Sequence, residues 1–219
     1  VMMCRDALAG FAGQVVVVAG DSPLVQPESI AKLLAERERT NTACLLGTAH
    51  KSDPTGLGRI VRDASGTFVG IVEEKDATPE QRRITEVNMS CYVFSCEALV
   101  RSLGLLRADN AQKEYYLTDI VALAVADRVP VSTAHPDAAW ETLGVNSRSQ
   151  MAALERIHQR NIAERLLDAG VALADPARLD VRGTLLSGKD CSIDINCVFE
   201  GNVIIGDGVS IGPNCVLKD

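Results

Sequence analysis

An α/β sheet domain followed by the start of a parallel β-helix is the fold that this sequence of 219 residues predicts. Three observations carry it. An apolar run, Val15–Leu24 (VVVVAGDSPL), stops abruptly at Gly20-Asp21. Strand-like and helix-like segments then alternate as far as Gly170. Beyond residue 182 a strict six-residue period takes over.

The Val15–Leu24 run has no polar alternation, which suits a strand buried on both faces, as in a parallel sheet. Open α/β sheets bind ligands outside the carboxyl ends of their strands. Asp21 therefore stands where a metal or phosphate ligand would be held, although taken alone the segment fits a turn-forming aspartate better. Gln26-Pro27-Glu28 opens a helix, with Ile30, Leu33 and Leu34 as its apolar stripe. Thr42–Ala49 is the next strand, and the strand–helix–strand order is the βαβ unit of a parallel sheet.

SDPTGLGRIV at 52–61 reads as a loop with a close approach at Gly58, then a strand from Arg59. Asp63–Gly66 is a turn, and Thr67–Val72 completes a hairpin that runs into Glu73-Glu74-Lys75-Asp76. Ala77–Arg83 is a short helix or loop. EVNMSCYVF (86–94) returns to the sheet, and Ser95 caps a helix over Cys96–Leu106. KEYYLTDI (113–120) leads into a helix over Ile120–Ala126. Val129–Val131 and Trp140–Val145 read as short strands. Ser147 begins a long helix with Met151, Leu154, Ile157, Ile162, Leu166 and Leu167 near a 3.6-residue period, and Gly170 stops it.

DPARLDVR (175–182) is a linker. Cut into sixes from Cys191, the rest reads CSIDIN, CVFEGN, VIIGDG, VSIGPN, CVLKD. Ile193, Phe199, Ile205, Ile211 and Leu217 form one column; Cys191, Cys197, Val203, Val209 and Cys215 form another. Apolar columns with Gly/Asn turns at this period signal a hexapeptide β-helix.

Composition excludes several classes. A net charge of −7 argues against a nucleic-acid or anionic-membrane partner. No apolar run reaches the ~18 residues of a membrane span. The seven cysteines include no CxxC pair and sit mostly inside apolar runs, as buried thiols of a reducing cytoplasm do. His50, His135 and His158 are scattered without metal-ligand spacing. Val1–Leu8 reads as the later part of a helix, and both ends read as cut from a longer protein.

GDSPL, DPTGLGRIV, GIVEEKDAT, EVNMSCYVF, KEYYLTDI, GVNSRSQ and DPARLDVRGT, followed by hexads, occur in order along the whole chain. Together they resemble the bacterial family of bifunctional uridylyltransferase/acetyltransferases that make UDP-N-acetylglucosamine for cell-wall precursors. The resemblance implies a Rossmann-like, glycosyltransferase-A-like nucleotidyltransferase domain, incomplete, over 1–146. A connecting helix and linker would cover 147–182, and the first coils of a left-handed hexapeptide β-helix 183–219. It implies transfer of uridylate from UTP to N-acetylglucosamine-1-phosphate. Asp21 and Asn146 would be the catalytic pair holding Mg²⁺, an ion that takes one or two protein oxygens plus phosphates and water. Gly20 and Asp21 would touch nucleotide sugar, and Gly58, Glu73, Asn88, Tyr116 and Thr118 would read the sugar.

Those residue types suit a ring of hydroxyls and an amide. Singly, Glu73 also reads as part of a solvated charge run, Asn88 as a core amide and Tyr116 as an edge aromatic. Ala19 stands where some relatives carry a tyrosine. The family's Gly-rich phosphate loop would precede residue 1, and its acetyl-CoA site would follow residue 219. By the resemblance the parent is a cytoplasmic homotrimer, and this stretch alone has no transferase turnover. Two other readings are a nucleotidyltransferase for another sugar-1-phosphate and a non-catalytic assembly or regulatory subunit. Asp21 together with Asn146 favours an enzyme.

Overall fold

The computed structural model describes residues 1–108, 113, 115–126, 130–135 and 139–219. It divides into two compact units, Val1–Gly144 and Val145–Asp219.

The first unit contains β1 (Gln14–Val18), α1 (Pro27–Thr40), β2 (Cys44–His50), β3 (Arg59–Arg62), β4 (Phe68–Val72), β5 (Glu86–Ser95), α2 (Cys96–Leu103), α3 (Thr118–Ala126) and β6 (Val131–Ala134). The sheet order is β4-β3-β5-β2-β6, with β1 paired to β5. β5 pairs antiparallel with β2 along most of its length, Cys44 opposite Phe94 and His50 opposite Glu86. On its other flank its amino end meets β3 and its carboxyl half meets β1, with Val15 opposite Phe94. β1 and β2 therefore run in the same direction, as a βαβ reading requires, but the antiparallel β5 lies between them. A parallel pair does occur, between β2 and β6. The core gathers Leu46, Ile60, Tyr92, Phe94, Leu99, Ile120 and Val121.

Several expected boundaries shift. β1 is half-buried rather than buried on both faces, and Val18 is exposed, because Val17 and Val18 open onto a cavity. The Cys96 helix ends at Leu103, short of the exposed Leu105. Its Ser95 cap forms as expected, accepting from Ala98 N at 3.2 Å. The helix expected from Ile120 starts at Thr118. Val1–Leu8 forms only a short 3-10 turn, Met2–Cys4. Gln81–Arg83 is likewise a 3-10 turn. Val129 and Glu114 lie outside the described residues. Five of the seven cysteines are buried.

Trp140–Val145 is not a strand but holds the 3-10 turn Ala139–Thr142. The reason is a long-range contact. Glu141 is buried, and its Oε2 accepts from Gln26 N while its Oε1 accepts from Ser29 Oγ, both at 2.9 Å. Gln26 is the N-cap of α1 and supplies no side-chain cap of its own. A carboxylate from over a hundred residues away thus satisfies donors at that helix start and complements its dipole.

The second unit contains α4 (Arg148–Asp168), β7 (Ala172–Leu173), β8 (Leu179–Ser187), β9 (Ser192–Ile193), β10 (Cys197–Ile205), β11 (Ser210–Ile211) and β12 (Val216–Lys218). Ser147 caps α4 by accepting from Gln150 N at 3.2 Å. Gly170, at φ 91°, ends it: Gly170 N–H donates to Leu167 O and Val171 N–H to Leu166 O, the paired bonds of a Schellman stop. Two members of the expected stripe face solvent, Met151 at 63% exposure and Leu167 at 41%. Gln159 is buried in their stead. Its amide accepts from Val181 N at 2.8 Å and donates to Val181 O at 2.9 Å, tying α4 to β8.

β8, β10 and β12 form one parallel sheet; β7, β9 and β11 form another. Partners lie 18 residues apart, as in Ser192 with Ser210 and Asn196 with Asn214, so three hexads close one turn. Both apolar columns point inward: Cys191, Ile193, Cys197, Phe199, Val203, Ile205 and Ile211 are buried together. Asn196 and Asn214 take left-handed φ of 59° and 62° at corresponding turns. A Cβ on Gly183 would stand 2.1 Å from Gly201 O, so no other residue fits that bend.

Three substitutions test these contacts through stability. Phe199→Ala should destabilise the second unit by about 3–5 kcal/mol, because Phe199 is fully buried. Ile204→Ser, at 75% exposure, should change it by no more than ~0.5 kcal/mol. Urea unfolding followed at the second unit's transition separates the two. Glu141→Ala leaves the buried Ser29 hydroxyl and the half-buried Gln26 N–H without their acceptor and should cost the first unit about 1–3 kcal/mol; an unshifted transition would reject the latch.

Candidate functional site

One cavity of about 300 Å³ in the first unit collects residues from four elements. The end of β1 gives Val17, Val18 and Ala19. The exit of β4 gives Glu73. β5 gives Asn88, Ser90 and Tyr92. The entry to α3 gives Tyr115 through Thr118. β4 delivers Glu73 because the hairpin turn before it is fixed: Asp63 Oδ1 accepts from the backbone of Ser65 and Thr67, and Gly66 takes φ 83°.

Thr118 Oγ1 donates to Glu73 Oε1 at 3.1 Å. Gly58 lies against the same carboxylate, since a Cβ there would stand 3.4 Å from Glu73 Oε2 and 3.0 Å from Ile71 Cγ2. Gly58 O accepts from Asn88 N at 2.9 Å, tying the loop to β5. The residues that follow Gly58 and Glu73, Arg59 and Glu74, form an ion pair in which the guanidinium is buried. Arg59 also donates to Leu57 O, so it braces the loop that carries Gly58. Burial raises the Glu73 pKa above its ordinary value, and the negative Asp76 and Asp119 add to this; the Thr118 hydrogen bond opposes them.

β5 departs from regular geometry at the cavity wall. Its register with β2 shifts between Leu46 and Thr48, and Ser90 adopts φ 55°. Such bulges re-aim side chains and are frequent beside active sites. Asn88 is 5% exposed; its Nδ2 donates to Tyr92 Oη at 2.6 Å, and its Oδ1 accepts from Ser90 N at 3.2 Å. Burial pushes the Tyr92 pKa up, and its hydrogen bonds to Asn88 and Ser90 partly offset this.

Asp21 is exposed on the loop that leaves Ala19 at the cavity rim. Ser22 N donates to Ala19 O at 3.3 Å across this turn. Gly144 lies beside Asp21: a Cβ on it would stand 3.8 Å from Asp21 Oδ2 and 3.7 Å from Asp21 O. The latch of Glu141 on α1 holds this stretch in place. Asn146 follows Gly144 by two residues and belongs to the second unit, where it is exposed and its N–H donates to Gln150 Oε1 at 2.7 Å.

The structure thus gathers Glu73, Asn88, Tyr116 and Thr118 on one cavity, sets Gly58 against Glu73, and leaves Gly20 and Asp21 on the adjoining loop. Among the described residues no three His, Cys, Asp or Glu side chains cluster as a metal centre. A lone exposed carboxylate beside a glycine fits a hard cation that keeps water and phosphate ligands, and does not fit a structural zinc. Ser90, Tyr92 and Tyr115 also line the cavity, as the sequence reading had not anticipated. The period of two along β5 was the available signal for Ser90 and Tyr92, since they share a face with Asn88. No local signal marks Glu141.

Residues 1–160 match the family described as nucleotidyl transferase, and residues 188–219 match the bacterial transferase hexapeptide, six repeats. The chain is 56% identical over 203 residues to the bifunctional protein GlmU of Azoarcus sp. (strain BH72). It is 53% identical over the same length to that of Burkholderia multivorans. Each alignment covers 93% of this chain and 44% of the relative, so the chain spans less than half the length of the curated relatives it matches. A solved structure from Bacillus anthracis, provisionally assigned as a glucose-1-phosphate thymidylyltransferase and holding a sucrose, shares the fold. Its TM-score is 0.55 at 15% identity, over 70% of this chain and 56% of that one. On these matches and the fold that accompanies them, the chain belongs to the nucleotidyl transferase family and continues into the bacterial hexapeptide repeat.

Proposed function

We propose that this chain carries the sugar-reading wall and the metal-binding carboxylate of a uridylyltransferase that makes UDP-N-acetylglucosamine and pyrophosphate. The observation that supports this most is the convergence of Glu73, Asn88, Tyr116 and Thr118 on one cavity whose rim leads into the Asp21 loop. Glu73, ionised, accepts from sugar hydroxyls; Asn88 both donates and accepts; Thr118 holds Glu73 in place. Gly58 leaves room for the ring to approach that carboxylate.

The phosphate of N-acetylglucosamine-1-phosphate attacks the α-phosphorus of UTP, and the bond to pyrophosphate breaks. Chemistry of this kind rests on positioning and charge neutralisation. Asp21 and Asn146 would hold Mg²⁺, which when bound neutralises phosphate charge. Asp21 offers the charged oxygen and Asn146 an amide oxygen next to the amino end of α4, where phosphate is also favoured. The hexapeptide coil would assemble as a homotrimer, and its exposed Leu186 and Val216 are apolar surface that a second copy would cover. We place the protein in the cytoplasm. Among the described residues no helix is long and apolar enough to cross a membrane.

In the full-length protein, Asp21→Ala should lower turnover by about 100-fold or more, with little change in sugar-phosphate affinity. Turnover near the wild type rejects the metal role. A panel of UTP with N-acetylglucosamine-1-phosphate and glucose-1-phosphate identifies the sugar, and preference for glucose-1-phosphate overturns the acceptor proposed here.

Glu73 supplies a pH test. Its folded pKa is raised, so the native state holds the proton more tightly than the unfolded chain. That stabilisation is full below the ordinary value of 4.5 and is lost as pH rises through the folded value. Glu73→Gln cannot titrate. The stability of the wild type relative to this variant should therefore fall with rising pH in that window, while sugar affinity of the wild type rises as Glu73 ionises. Denaturation curves of both proteins between about pH 4 and about pH 7 check the sign; a flat difference rejects it.

A further inference from the structure

The hydrogen bonds along the β5 wall have a fixed direction. A backbone N–H can only donate, so the atom of Asn88 that faces Ser90 N at 3.2 Å is the carbonyl Oδ1. The amide nitrogen is thereby turned to Tyr92, and Nδ2 donates to the phenol oxygen at 2.6 Å. Because Tyr92 accepts that bond, its own hydrogen is left for another acceptor, the Ser90 hydroxyl beside it or a ligand in the cavity that both residues line. The ring has little freedom: Tyr92 is 2% exposed and stacks on Phe94, with centroids 5.7 Å apart and planes at 21°. Tyr92 is also one of the residues lining the cavity.

The neighbouring groups give that donor a use. Ionised Glu73 can only accept, so it recognises hydroxyls and has nothing to offer a carbonyl. A carbonyl substituent needs a donor. Resting on the reading that the cavity takes the sugar, we propose that Tyr92 is a specificity-determining residue: its hydroxyl donates to the carbonyl oxygen of the sugar's acetamido group. The polarity runs from Ser90 N–H through the Asn88 amide to the Tyr92 hydroxyl and out to the ligand. Ser90 at φ 55° is the turn that lets its N–H face Asn88. A buried site built to hydrogen-bond a group rejects an analogue without it, because its own polar atoms are then left unpaired.

Tyr92→Phe keeps the ring and removes only the hydroxyl. In the full-length protein, titration calorimetry should show affinity for N-acetylglucosamine-1-phosphate falling about 10-fold. Affinity for glucose-1-phosphate, which has no carbonyl, should change less than about 2-fold. Equal losses for the two sugars, or no loss for either, overturn the assignment. A second measurement needs no substitution. A thioacetamido analogue, whose sulfur is a poor acceptor, should bind the wild type more weakly by a similar factor; equal binding overturns the proposal. Wild-type protein that binds neither sugar phosphate removes the functional reading and this inference with it. Normal wild-type binding with an unaffected Tyr92→Phe variant removes only the inference.

Discussion

A strand covered on both flanks and both faces carries the polar groups of the candidate site, and the first unit is built around that conflict. β5 pairs with β2 on one side and with β1 and β3 on the other, and most of its residues are buried. Buried polar atoms without partners are costly, commonly about 1–3 kcal/mol each. Asn88 and Tyr92 avoid the cost by bonding to each other, and Asn88 also accepts from the Ser90 backbone N–H. The bulge makes this arrangement possible, and Ser90 bears the left-handed backbone that goes with it. The polar groups facing the cavity are therefore already oriented.

The second constraint is a carboxylate far from its partners in sequence. Glu141 completes the start of α1 and, through the short turn that holds it, sets Gly144 beside Asp21. A buried acceptor with two donors is a stiff connection. It gives the Asp21 loop a fixed neighbour without a side chain, so space next to the carboxylate stays open. Arg59 plays a comparable part for Gly58, tying its loop to Glu74 and to Leu57 O.

The hexapeptide unit solves a different problem. Its apolar side chains stack in columns, so each coil needs its neighbours to bury them. The corners are taken by residues that tolerate left-handed backbone, Asn196, Asn214, Gly201 and Gly208 among them. Ladders of like residues, Ser192 with Ser210 and Asn196 with Asn214, follow the same 18-residue spacing. Periodicity in the sequence is thus the same thing as contact in space.

That identity explains how much could be read beforehand. Hexad columns, the Ser95 and Ser147 caps, the Gly170 stop and most strands are local patterns, and sequence alone determined them. The likeness of the ordered motifs to a known family pointed to Gly58, Glu73, Asn88, Tyr116 and Thr118 as one group. Tertiary structure alone decided the rest. The insertion of β5 between β1 and β2, the 3-10 turn at Glu141 and the exposure of Met151 depend on partners distant in the chain. No local spacing encodes the direction of the Asn88–Tyr92 hydrogen bond either. Propensity and period report what a residue prefers among its near neighbours, whereas a buried polar group is settled by whichever remote donor or acceptor the fold brings to it.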